Sequence, residues 1–182
     1  MSQLNFMVGG EAGQGVQSVG FILAKALARG GYHIFADQDY ESRVRGGHNF
    51  YRVRASDSPI SAIADDVDIL VALNSETISL HQKELAPKGV IVFDAEKVKD
   101  VAGLKNAFGV PLDKLAMEQS GDKLMANTVA LGAALGLARY DLEITGQVLR
   151  EFFKGGEVAE KNIKAARAGY EYVRDNFKGD FD

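Results

Sequence analysis

The chain has 182 residues, 46% hydrophobic and 25% charged, the make-up of an ordinary globular protein with enough length to bury a core. Its formal net charge of -4 supplies no basic field of the kind that displaces counterions from DNA or RNA. The sequence contains no cysteine, which excludes disulfides, thiolate nucleophiles, Cys-ligated zinc and Cys-held iron–sulfur clusters on this chain.

The opening MSQLNFMVGG has no basic segment followed by a long apolar run, so no secretory signal is expected. No stretch reaches the length of a membrane span, and a cytoplasmic location is the expectation. LNFMV (4–8) reads as a buried strand ahead of a glycine turn. From Gln17 to Arg29, Val19, Ile22, Leu23, Ala26 and Leu27 recur at steps of three and four and predict a helix, which Gly30-Gly31 ends. HIFAD (33–37) is a second strand, so residues 4–37 form a strand–helix–strand unit, right-handed by the general rule.

FYRVRA (50–55) alternates apolar and polar residues, as a strand with one less buried face does. Residues 38–49 are too few for a parallel crossover, so this strand is expected to run antiparallel in a mixed sheet. DILVAL (68–73) and VIVFD (90–94) are uniformly apolar, as in strands covered on both faces, with a helix from Ser75 to about Leu85 between them, capped by Ser75 or Asn74. Residues 95–121 look less regular, with FGVPL (108–112) as a last short strand. Three helices then follow, over about 122–138, 143–153 and 157–174, with Gly155-Gly156 separating the last two. The expected architecture is a three-layer α/β/α sandwich, one domain over 1–182, with a mostly parallel, mixed sheet and a helical C-terminal section. The small residues Ala126, Ala130, Gly132, Ala133, Ala134 and Gly136 suit close helix packing, within the fold or across subunits.

Two loops invite a functional reading. In GGEAGQGV, Gly10 and Gly15 have P-loop spacing, but Val16 and Gln17 stand where the phosphate-binding Lys and the Mg²⁺-binding hydroxyl belong. Gly10, Gly13 and Gly15 also reverse the dinucleotide spacing, and Glu11 would repel a pyrophosphate, although Asp37 ends the second strand where a ribose-binding acid would lie. The glycines are then either a sharp turn that allows close backbone approach or an anion perch at the helix N-terminus. The second loop, YESRVRGGHN (40–49), concentrates Arg43, Arg45, Gly46, Gly47 and His48. Its arginines suit carboxylate or phosphate, or would pair locally with Glu41, Asp37 or Asp39. Both loops follow strands at the carboxyl end of the sheet, where ligands and partners collect, so they are expected to share a surface.

GGEAGQGV, DYESRVRGGHNFYRVR, VDILVALN with ETISLH, GVIVFD and MANTVALGAALGL together resemble the gamma subunit or gamma domain of 2-oxoacid:ferredoxin oxidoreductases. The resemblance runs from about residue 5 to about 174, and the RGGH loop is its most specific part. Enzymes of this family, acting on 2-oxoglutarate, pyruvate or 2-oxoisovalerate, decarboxylate the acid on thiamine diphosphate, pass electrons through iron–sulfur clusters to ferredoxin and form an acyl-CoA. The resemblance, closest to the 2-oxoglutarate type, implies a non-redox subunit beside alpha and beta chains that hold thiamine diphosphate, Mg and the clusters. This chain has neither cysteines nor the G-D-G…N-N thiamine signature. On that reading Gly13, Gln14, Gly15, Arg43, Arg45, Gly46, Gly47 and His48 are candidates for contacting CoA or a partner chain, and neither membrane nor nucleic acid is involved. The rival reading is a free-standing nucleotide- or flavin-binding α/β module.

Overall fold

The computed structural model describes residues 2–40, 47–99, 103–104, 106–179 and 181. Strand β1 (Gln3–Glu11) leads through the glycine turn into helix α1 (Val16–Arg29) and strand β2 (His33–Tyr40). Strands β3 (His48–Ser56) and β4 (Val67–Ala72) follow, then helix α2 (Ser75–His81), a 3₁₀ turn at Gln82–Glu84, and strand β5 (Leu85–Asp94). Strand β6 (Ala107–Val110) is followed by four helices: α3 (Leu112–Ser120), α4 (Ala126–Leu137), α5 (Leu142–Phe152) and α6 (Gly156–Asn176). None of the described helices is long and apolar enough to cross a membrane.

Among the described residues the strands form one sheet in the order β2-β3-β1-β4-β5-β6. The β1–β4, β4–β5 and β5–β6 pairs are parallel, while β3 runs antiparallel to both neighbours, β1 and β2. β2 and β3 pair antiparallel, as the few residues between them in the sequence predict. β1 and β2 are therefore parallel to each other but not adjacent, because β3 is inserted between them.

Alternate residues of the central strands feed two cores. Phe6, Val8, Ile69, Val71, Val90 and Val92 face a thick helical layer, in which α1 and α4 lie on the sheet and α5 and α6 pack over them. Met7, Leu70, Ile91 and Phe93 face the other side, covered by Ile78 of α2 and by Val98. The result is an α/β sandwich with unequal layers. The period-two pattern of the strands sets it, since a one-residue slip would turn each buried set to the wrong face.

The helix after β4 ends sooner than its apolar spacing suggested. α2 stops at His81 and tightens into the 3₁₀ turn, and its cap is Asn74, whose Oδ1 accepts from Thr77 N at 3.0 Å. The segment 95–121 is more regular than expected, because FGVPL does not run on as strand to 112. β6 ends at Val110, Pro111 caps α3, and Gly121 closes that helix in the left-handed conformation. α3 escaped notice because its buried face is only Leu112, Ala116 and Ser120, too few apolar residues to register as a stripe.

The small residues of α4 serve the interior. A Cβ on Gly132 would overlap the carbonyl of Ala166, and one on Gly169 would overlap the carbonyl of Val129, so α4 and α6 cross with backbone against backbone.

Candidate functional site

The site lies at the carboxyl end of β1, where the strand order changes direction. From β1 the chain goes to α1 on the thick side, and from β4 it goes to α2 on the thin side. In open α/β sheets the crevice between two such strands is where ligands collect. Here Gln14 fills it. Glu11 N donates to Gln14 Oε1 at 2.7 Å, and Gln14 Nε2 donates to Leu73 O at 3.3 Å, so one amide side chain ties the end of β1 to the end of β4. Asn127 Nδ2, from the start of α4, donates to Gln14 O at 3.2 Å.

Each glycine of the turn has a distinct reason. Gly13 and Gly15 have φ of +94° and +81°, a region that L side chains enter only with strain. A Cβ on Gly15 would also strike the amide of Asn127. Gly9 and Gly10 have ordinary extended backbone but no room. A Cβ on Gly9 would collide with Thr77 and lie 3.3 Å from His48 Cε1, and one on Gly10 would lie 2.7 Å from Gln14 Oε1. Close approach occurs at three of the four, by side chains and not by a second backbone as the sequence suggested, and only Gly13 has nothing within 4 Å.

The two loops meet. Ala12 N donates to Gly47 O at 3.3 Å, and the β1–β3 ladder pairs Glu11 with His48. Between the turn, the first residues of α1, Tyr40 and Asn49 opens a cleft of about 480 Å³. α1 receives no side-chain cap, and its N-terminal end, which carries a partial positive charge, borders this cleft. Gly13 and Gln14 also line a smaller cavity of about 220 Å³ on the other side of the turn, with Asp94, Lys97 and Asn127.

Gly13, Gln14 and Gly15 thus lie beside Gly47, while Arg43, Arg45 and Gly46 fall outside the described residues. The His48 backbone joins this edge, but its imidazole does not enter the cleft. It is buried on the thin side of the sheet, with Nε2 at 2.8 Å from His81 Nε2. Asp37 does not act as a ribose-binding acid over the turn, because β3 separates its strand from β1. Its Oδ1 instead accepts from Arg52 Nε at 2.8 Å. That pairing holds the Arg52 guanidinium above its ordinary value, through the hydrogen bond to Asp37 first and with a contribution from the Glu84 charge.

Asn127, His81 and Glu84 join the site from distant positions. Asn127 sits inside the MANTVALG string, but no local spacing connects it with Gln14. His81 ends a helix and Glu84 follows three residues later, a spacing that signals contact only once a helix is known to run between them. No group of three or more His, Asp or Glu able to hold a metal occurs among the described residues.

The family described as pyruvate ferredoxin/flavodoxin oxidoreductase matches residues 5–172. The ketoisovalerate oxidoreductase subunit VorA of Methanothermobacter thermautotrophicus is 32% identical over 98% of this chain and 38% of its own length. The chain therefore spans less than two fifths of that relative. The 2-oxoglutarate synthase subunit KorC of Archaeoglobus fulgidus is 30% identical over 94% of this chain and 89% of its own length. Among solved structures, the gamma subunit of a keto/oxoacid ferredoxin oxidoreductase from Geobacter sulfurreducens superposes with a TM-score of 0.82 at 27% identity, covering 96% of this chain and 98% of that one. The 2-oxoglutarate:ferredoxin oxidoreductase of Magnetococcus marinus, with 2-oxoglutarate, coenzyme A and succinyl-CoA bound, gives a TM-score of 0.87 at 26% identity, over 99% of this chain and 32% of that one.

Proposed function

We propose a role for a chain that belongs to the pyruvate ferredoxin/flavodoxin oxidoreductase family: it is the non-redox gamma unit of a 2-oxoacid:ferredoxin oxidoreductase. In the assembled enzyme it supports CoA-dependent oxidative decarboxylation of a 2-oxoacid, 2-oxoglutarate in the first place, to acyl-CoA. The electrons go to ferredoxin. The match with KorC over 94% of this chain supports the 2-oxoglutarate preference.

The chemistry itself belongs to alpha and beta chains. Thiamine diphosphate with Mg supplies the carbanion stabilisation that decarboxylation needs, and iron–sulfur clusters carry the electrons. This chain has no cysteine to hold a cluster and no residue set for the thiamine cofactor, so no step runs through it. It contributes a shaped edge: the glycine turn, the uncapped start of α1 and the loop with Arg43, Arg45, Gly46, Gly47 and His48. We assign this edge to contact with CoA or with the neighbouring chain, the arginines meeting phosphate or carboxylate. The observation that carries the reading is the Ala12–Gly47 hydrogen bond, which joins the glycine turn to the residue that precedes β3. Gln14 across the crevice weighs against the rival nucleotide module, because its amide already engages Glu11 N and Leu73 O, the polar groups at the two strand ends.

Charge reversal of both arginines, R43E with R45E, tests it in the reconstituted complex. Losing two charged hydrogen bonds of ~1.5–3 kcal/mol each should raise KM for CoA at least tenfold or dissociate the complex. Unchanged assembly together with unchanged kinetics would contradict the assignment.

A further inference from the structure

On the thin side of the sheet three side chains stand in a row, and two of them, His81 and Glu84, have no part in the reading so far. Glu84 Oε1 lies 2.9 Å from His81 Nδ1, and His81 Nε2 lies 2.8 Å from His48 Nε2. Both histidines are buried. Their rings stack obliquely with centroids 4.9 Å apart, and Phe50 meets His81 edge-on at 5.3 Å. We infer that Glu84 and His81 are positioning residues for His48, a Glu–His–His chain that sets its tautomer and holds the base of the arginine loop.

The order of protons follows from the donors and acceptors. An ionised carboxylate only accepts, so His81 must carry its hydrogen on Nδ1. A neutral His81 then offers a lone pair at Nε2, and the facing Nε2 of His48 must be the donor. His48 is left with an accepting Nδ1. The Glu84 carboxylate stands behind the histidine pair, the arrangement by which a carboxylate orients a histidine in catalytic triads. Around the pair stand Glu11, paired with His48 across the ladder, and Arg52, which faces Phe50 and pairs with Asp37.

Three elements hold the geometry. Asn74, at the end of β4, caps α2 and so fixes the phase that brings His81 to the sheet. The bare Cα of Gly9 in β1 leaves the space that His48 and Thr77 fill. His48 itself opens β3, immediately after Gly47, whose carbonyl ties the loop to the glycine turn. A shift of His48 is thus passed to the loop through one peptide unit.

This inference rests on the proposed role of the loop, and the experiment separates the two. In the ¹⁵N-histidine NMR spectrum of the full chain, His48 should show a protonated Nε2 and a lone-pair Nδ1, with His81 of the opposite tautomer. The reverse pattern at His48 overturns the proposal. In the reconstituted complex, H81L and E84L should each raise KM for CoA roughly five- to tenfold with kcat changed less than about twofold, the scale of one lost hydrogen bond, while E84Q restores the wild-type KM. Should H81L fail to fold, E84L and E84Q at the half-buried Glu84 carry the same test. If R43E with R45E raises KM but E84L does not, the chain of histidines has no positioning role. If neither moves it, the reading of the loop itself fails.

Discussion

Two sets of glycines do opposite kinds of work in this protein. At the α4–α6 crossing, Gly132 and Gly169 lie against backbone carbonyls, rigid neighbours that belong to helices on both sides. At the end of β1, Gly9, Gly10 and Gly15 lie against the side chains of Thr77, Gln14 and Asn127, each held by its own hydrogen bonds. The crossing is a packing solution and depends on volume alone. At the turn the glycines make room for hydrogen-bonding side chains and so decide which polar groups reach the strand ends. A glycine-rich motif becomes informative only when its neighbour is known, backbone in one case and hydrogen-bonding side chain in the other.

The largest effect should come from the crossing. Gly132→Ala adds helix propensity worth ~1 kcal/mol but forces two backbones apart, and a net loss of roughly 3 kcal/mol or more is expected in urea denaturation. Gly146 of α5 provides the contrast, because a Cβ there meets nothing within 4 Å. Gly146→Ala should stabilise by about 0.5–1 kcal/mol. Equal responses at the two positions would remove the distinction drawn for the crossing.

Inside the turn, Gly13 and Gly15 share a positive φ but differ in surroundings. Gly13→Ala should cost about 1 kcal/mol, the strain of the left-handed conformation. Gly15→Ala carries that strain and also displaces Asn127 from Gln14, for roughly 2 kcal/mol in total. In an Asn127→Ala background the two costs should converge, which a double-mutant cycle measures directly.

A modest effect belongs to the far end of α1. Tyr140 Oη donates to Ala26 O at 2.6 Å. Burial first, then the neighbouring Tyr32 and Asp141 charges, push its phenol from 10.0 up to about 12. Since the folded value is the raised one, its contribution to stability is complete below pH 10 and is lost as the pH rises through about 12. Tyr140→Phe should cost about 1 kcal/mol at neutral pH and flatten that alkaline limb of the stability profile.

Much of this was legible beforehand, for physical reasons. Uniform runs such as DILVAL and VIVFD mark strands covered on both faces, and the twelve residues between HIFAD and FYRVRA allow only an antiparallel return. The exclusion of a P-loop needed nothing more than Val16 and Gln17. α3 stayed hidden because its burial rests on three residues, one of them Ser120, which donates its Oγ to Ala116 O. The meeting of Gln14 with Asn127 and of His48 with His81 spans 113 and 33 residues, and contacts that long leave no local periodicity. Position in strand pairing also corrected a one-dimensional inference: Asp37 is at the right distance along the chain from the glycine turn, but the insertion of β3 carries it a strand too far away.

The central claim is that this chain works as the cluster-free unit of a larger oxidoreductase, and purification of the tagged chain from its source cells tests it most directly. The account predicts co-elution with larger chains in constant ratio, carrying thiamine diphosphate and the broad visible absorbance of iron–sulfur clusters. A chain that elutes alone with a dinucleotide or flavin bound to it would contradict the account.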